Sequence, residues 1–162
     1  MNHSIRDAVA LDRPQLVKLM AQLQNYERSL HPNRSDGRVI ASAHFGYLEE
    51  LVVQHQGRIF VADADGTIWG FLVCLVEHLD PDDLHIINSD KRFGVVSDLY
   101  IDEAARSRGI AKALLLAAEQ HFKSLGLSTV RITTLYNNAI ARLAYEQLDY
   151  QPYEVTYERR LT

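Results

Sequence analysis

Residues 106–111 read Arg-Ser-Arg-Gly-Ile-Ala, between the polar turn Asp102-Glu103-Ala104-Ala105 and a long helical pattern. Two guanidinium groups beside a glycine at the mouth of a helix are residue types that suit an anion. First-turn N–H groups lack intrahelical partners, and with the helix dipole they form an anion seat. Gly109 has no Cβ, so the backbone can approach the anion closely. The apolar strand Val95-Val96-Ser97-Asp98-Leu99-Tyr100-Ile101 feeds this loop, and strand–loop–helix is the context in which such loops hold phosphorylated ligands. Neither G-x-x-x-x-G-K-[ST] nor G-x-G-x-x-G occurs, so the two commoner phosphate loops are excluded. The bland alternative is a surface turn with two solvated arginines.

A second group lies past a β-branched strand expected at Thr129–Leu135. Asn138, Ala141 and Tyr145 are spaced N-x-x-A-x-x-x-Y on an amphipathic helix expected from Asn138 to Leu148. Taken alone, the tyrosine reads as a helix residue that packs its ring and exposes its hydroxyl. These two motifs at this separation resemble the GNAT N-acetyltransferase superfamily, whose acyl-CoA loop usually reads [QR]-x-x-G-x-[GA].

The resemblance implies transfer of an acetyl group from acetyl-CoA to the primary amine of a small molecule, directly, in a ternary complex. It assigns the CoA pyrophosphate to backbone N–H groups of Ser107, Arg108, Gly109, Ile110 and Ala111, with the charges of Arg106 and Arg108 nearby. It assigns the pantetheine arm to the strand edge at Leu99, Tyr100 and Ile101, and the oxyanion donor to a backbone N–H near Leu99 or Tyr100. Tyr145 is implied as the acid that protonates the leaving thiolate, and Asn138 as a contact on the pantetheine or sulfur side. The base is left open. Some family members carry a glutamate where Ser97 stands, and alternation sends Asp98 to the opposite face from Ser97. Tyr26, Glu27, His78 and His85 are candidates by location, as is a water chain. Asp149-Tyr150 replaces the family's Gly-Phe, with Asp149 expected in a left-handed helix-end conformation.

By the same resemblance the acceptor groove takes Tyr26, Glu27, His31, Asp80, Asp82, Asp83 and His85 from the first two helices, their loop and the linker Leu79 to Arg92, with Asp98 beside it. The acidic cluster suits a cationic amine and equally suits a solvated linker. Two rivals to a small-molecule acetyltransferase stay open: acetylation of a protein lysine or N-terminus, and a non-catalytic acyl-CoA-binding module.

The elements that must position these groups follow from periodicity. Ser4 to Val9 is a short strand. Asp12 is expected to cap a helix to about Glu27, with Gln15 as its capping-box partner and Pro14 in the first turn. A second helix is expected from Val39 to Val53. Arg58–Asp63 and Thr67–Glu77 are strands joined by the hairpin signal Asp65-Gly66. The second is apolar enough to be central and covered on both faces. The helix from Ile110 to Leu125 is expected to bury Ile110, Leu114, Ala117 and Phe122 and to end at Gly126. The next helix is expected to bury Ala141, Leu143, Ala144 and Leu148. Tyr150 to Leu161 is expected as two short strands or one bent one, with Tyr153 to Leu161 a candidate homodimer edge. The order is β-α-α-β-β-β-α-β-α-β-β. It gives an α/β fold of GNAT type: a mixed, mainly antiparallel central sheet with helices on both faces, and strands Val95–Ile101 and Thr129–Leu135 parallel.

The length suits one domain over 1–162. A net charge of −4 argues against nucleic acid as the main partner. Cys74 stands alone in an apolar run, which excludes an internal disulfide and fits a reducing, cytoplasmic setting. No apolar stretch approaches the ~20 residues that span a bilayer, so no membrane partner is expected. Met1 to Val9 lacks the apolar core of a signal peptide. The histidines are scattered without metal-ligand spacing, so no metal is expected.

Overall fold

The structure is a computed structural model that describes residues 3–161. The elements are β1 (Ser4–Asp7), α1 (Arg13–Leu30), α2 (Gly37–Gln54), β2 (Arg58–Ala64), β3 (Thr67–His78), β4 (Arg92–Ile101), α3 (Ile110–Ser124), β5 (Val130–Ile132) and α4 (Ala139–Glu146). The strands form one sheet in the order β1-β2-β3-β4-β5. All pairings are antiparallel except β4 with β5, where Gly94, Val95 and Val96 lie beside Val130, Arg131 and Ile132. Mixed α/β architecture and the parallel pair agree with the sequence expectation.

Each face of the sheet carries its own core. On one side Leu16, Met20, Phe45 and Leu48 of α1 and α2 pack on Val61, Phe71 and Val73. On the other, Leu114, Leu115, Ala118 and Phe122 of α3 pack on Leu72, Cys74, Val76 and Val96. The side chains of β3 thus alternate between two dry layers, which is why this strand is apolar throughout.

Several local expectations change. Asp12 does not cap α1 with its side chain. Its carboxylate accepts from Arg6 at 2.7 Å and from the Val9 N–H at 2.8 Å, because the charged guanidinium is the stronger donor. Gln15 instead bridges to the β2–β3 turn, donating to Gly66 O and accepting from the Ile68 N–H, both at 3.0 Å. That turn has φ +52° at Asp65 and +81° at Gly66, the left-handed pair a two-residue hairpin of this twist requires. On α3, Leu115 and Ala118 are buried where Ala117 was expected, because the inward stripe is wider than one residue per turn. On α4, Leu143 is exposed.

No strand forms over Tyr150 to Leu161 among the described residues. Pro152 has no N–H to donate to a ladder. Side chains fix the segment instead. The Arg131 guanidinium lies between the rings of Phe93 and Tyr153, at 3.9 and 4.5 Å from their centroids, and Glu158 meets His31 at 3.3 Å. β5 is also shorter than expected, because β4 leaves it after Val96.

Candidate active site

The departure of β4 has a local cause. Cys74 pairs with Val96 and Val73 with Asp98, so Ser97 is an extra residue without its own partner. This is a β-bulge, which bends and twists its strand. It also cancels the expected alternation. Val96 packs in the α3 layer, and beyond the bulge Leu99 and Ile101 do so again, while Tyr100 enters the α1–α2 core. Asp98 therefore sits on the α1–α2 side together with Ser97, not on the opposite face.

The bulge also decides which backbone groups are free. The Asp102 N–H donates to Trp69 O at 2.9 Å, which makes these two facing residues a hydrogen-bonded pair. Pairing alternates along an antiparallel ladder, so Tyr100 with Phe71 and Asp98 with Val73 are hydrogen-bonded pairs as well. The N–H and C=O groups of Leu99 and Ile101 then point away from β3, to the side β5 has vacated. Of Leu99 and Tyr100, it is Leu99 whose N–H faces the open edge. The Ile101 carbonyl accepts from Arg106 Nε at 3.4 Å.

The loop that follows turns the open edge into the mouth of α3. Ser107 and Gly109 hold φ of +61° and +76°, and Gly109 is the residue from which α3 starts. A Cβ added at Gly109 would meet nothing within 4 Å, so packing does not require the glycine there. Its φ favours glycine, and the space above it is open. A left-handed serine costs on the order of 1 kcal/mol, a strain typical of ligand-clamping loops. Arg106 turns toward α1, its guanidinium carbon 6.0 Å from the Tyr26 ring centre and 5.9 Å from that of Tyr100. Arg108 stays exposed.

The family model of the Acetyltransferase (GNAT) family matches residues 18–150. The chain belongs to that family. A curated relative from Bacillus subtilis (strain 168), uncharacterized N-acetyltransferase YhfO, is 29% identical over 105 residues, which span 65% of this chain and 66% of the relative, just under two thirds of its length. Among solved structures, a predicted acetyltransferase from Clostridium acetobutylicum, crystallised with acetyl-CoA, superposes with a TM-score of 0.75 at 17% identity, over 98% of this chain and 96% of that one. The aminoglycoside acetyltransferase AAC(6')-Iy, in complex with a CoA-linked bisubstrate analogue, does so with a TM-score of 0.71 at 20% identity over the full length of both. At these identities the likeness shows the fold.

In this GNAT chain the motif residues of α4 have definite partners. Asn138 caps the helix, its Oδ1 accepting the Ala141 N–H at 3.2 Å, and the same atom accepts the Tyr26 hydroxyl at 3.2 Å. Tyr145 lies two turns on from Asn138, packed against the α3-side core and tilted against Tyr150. Burial pushes its phenol up to about 12, with the Glu27 charge adding to the effect. Asp149 has φ +65° and the Tyr150 N–H reaches back to Tyr145 O at 3.1 Å, the helix-end geometry expected there.

The acceptor-side residues divide. Glu27 pairs with Arg34 at 3.1 Å, yet burial pushes its carboxyl upward against that pairing, with Asp98 adding. The sequence reading missed His44 on α2, whose Nε2 stands 3.9 Å from Asp98 Oδ1. Its only sequence signal is its place one residue before buried Phe45, at the edge of the inward stripe. The acidic linker is not drawn into this cluster. Among the described residues its hydrogen bonds are local: Lys91 donates to Pro81 O at 2.6 Å, Asp80 accepts the Asp82 N–H at 2.8 Å, and Asp83 contacts His85.

Proposed function

We propose that this GNAT member is an acetyl-CoA-dependent N-acetyltransferase acting on the primary amine of a small molecule by direct transfer. The observation that carries the reading is the bulge at Ser97. It frees the Leu99 and Ile101 backbone groups beside the mouth of α3, where an extended arm carrying amides and a diphosphate fits. The N–H groups of Ser107 to Ala111 hold the diphosphate, with the charges of Arg106 and Arg108 nearby. Leu99 and Ile101 pair with the amides of the arm. The Leu99 N–H stabilises the oxyanion as the amine attacks the thioester carbonyl. Tyr145 gives its proton to the departing thiolate, Asn138 holds α4 in place, and Tyr26, Glu27 and Asp98 line the acceptor side. No step in this reading uses a metal.

The aminoglycoside acetyltransferase with the same fold supports a small amine over a protein lysine or N-terminus. A purely acyl-CoA-binding module remains the reading to beat. A screen of primary amines with acetyl-CoA, read as free thiol released, separates them. Thiol release that depends on a small amine supports the proposal, and binding without transfer to any amine or peptide supports the module. We read the setting as cytoplasmic, from the lone buried Cys74, and nucleic acid as no partner, from the net charge of −4. We also read a homodimer through Tyr153 to Leu161, where Val155, Tyr157 and Leu161 are exposed apolar residues and Tyr153 packs on Arg131 of β5, the last strand of the sheet. Light scattering tests it.

A further inference from the structure

Three ionisable side chains from three elements converge on the α1–α2 side of the bulge: Glu27 from α1, His44 from α2 and Asp98 from β4. The Asp98 side chain is only 10% exposed and its near cationic partner is His44, at 3.9 Å. Glu27 is occupied by Arg34. Tyr47, on the same helix as His44, stacks at 6.3 Å from its ring. The Glu27 charge also acts on the phenol of Tyr145 from α4. His44 is therefore flanked by two carboxylates and one phenol ring, with Arg34 behind Glu27. The Asp98 carboxylate, with Glu27 adding, holds its imidazole above the usual histidine range.

We propose that His44 is a positioning residue that sets the charge of the acceptor site: neutral, it leaves Asp98 to receive the ammonium of a small cationic amine, and protonated, it occupies that carboxylate and shuts such amines out. This rests on the acetyltransferase reading and specifies its substrate class. The step balances. An N–H proton of the bound ammonium passes to the Asp98 carboxylate, and the amine lone pair forms the N–C bond to the thioester carbonyl. The C–S bond breaks, and the thiolate takes the Tyr145 proton. The second N–H proton, acidic once nitrogen is bonded to the carbonyl carbon, leaves through water and restores Tyr145, and Asp98 returns its proton to water, so one proton is released per transfer.

Two measurements on the full chain test this. The first is the NMR titration of the His44 ring in the wild type and in Asp98→Asn. A midpoint above ~6.5 that falls in the variant is expected, and a midpoint unmoved by the variant overturns the proposal. The second is the ratio of kcat/KM between wild type and His44→Gln against pH, using the amine that the thiol-release screen returns. The ratio cancels the titration of the amine itself. It is expected to be flat at high pH and to fall several-fold below the His44 midpoint, and a ratio flat throughout overturns the proposal. CoA affinity, titrated separately, is expected to be equal in both proteins. A wild type that binds no CoA sinks the acetyltransferase reading, while the Asp98-dependent titration of His44 is judged apart from it.

Discussion

Tyr26 donates its hydroxyl to Asn138 Oδ1 at 3.2 Å and so ties α1 to the first turn of α4 across 112 positions of sequence. The same oxygen accepts the Ala141 N–H. One side-chain amide therefore anchors the helix that carries Tyr145. Asn138→Ala removes the cap and leaves the Tyr26 hydroxyl without its acceptor, which costs about 1–2 kcal/mol. Urea unfolding measures that loss. Asn138→Asp, which keeps an acceptor oxygen, is expected to lose less.

Tyr145→Phe keeps the ring and its packing and removes only the hydroxyl. The expected outcome is a fall in turnover on the order of 10²-fold with CoA affinity nearly kept. Because burial holds the phenol at about 12, Tyr145 stays protonated through neutral and mildly alkaline pH. A pH profile of turnover is expected to show no falling limb that vanishes in this variant below about pH 11. Equal turnover in the variant removes Tyr145 from the mechanism.

The elements and their order were legible because apolar periodicity, the Asp65-Gly66 turn and the loop around Gly109 are local signals. The bulge was not, because a bulge is a property of pairing between strands and Ser97 carries no local mark of it. Alternation alone placed Asp98 on the wrong side for that reason. His44 was missed on the same ground: its partner lies on a distant strand. The strands expected after Tyr150 failed because side-chain anchors at Tyr153 and Glu158, not backbone pairing, hold that segment.

Deleting Ser97 tests the bulge directly. The register on either side, Cys74 with Val96 and Val73 with Asp98, stays unchanged, and the strand straightens. A straight β4 can extend its pairing with β5 and close the open edge. The expected outcome is CoA affinity lowered at least about tenfold, roughly 1.4 kcal/mol, with thermal stability equal or higher. Retained affinity in a folded deletion variant counts against the bulge as the source of the site.

Arg6 is chelated by Asp12 at 2.7 and 2.9 Å and by Asp63 at 2.8 and 3.0 Å, pinning β1 to β2 and to the start of α1. The guanidinium beside it holds the Asp12 carboxyl below its usual range. A depressed folded-state value means stabilisation that is complete above the unfolded value of ~3.9 and drains as pH falls through the lower folded one. Asp12→Asn is expected to cost about 2 kcal/mol at neutral pH and to lose its difference from wild type in strong acid. Urea midpoints across that range measure it.

The most direct test is calorimetric titration of CoA into the wild type and into Gly109→Ala. A Cβ at Gly109 meets no protein atom within 4 Å, so the variant is expected to fold with about 1 kcal/mol of backbone strain at φ +76°. The account predicts saturable CoA binding by the wild type and at least about tenfold weaker binding by the folded variant. No binding by the wild type, or equal binding by both, would contradict it.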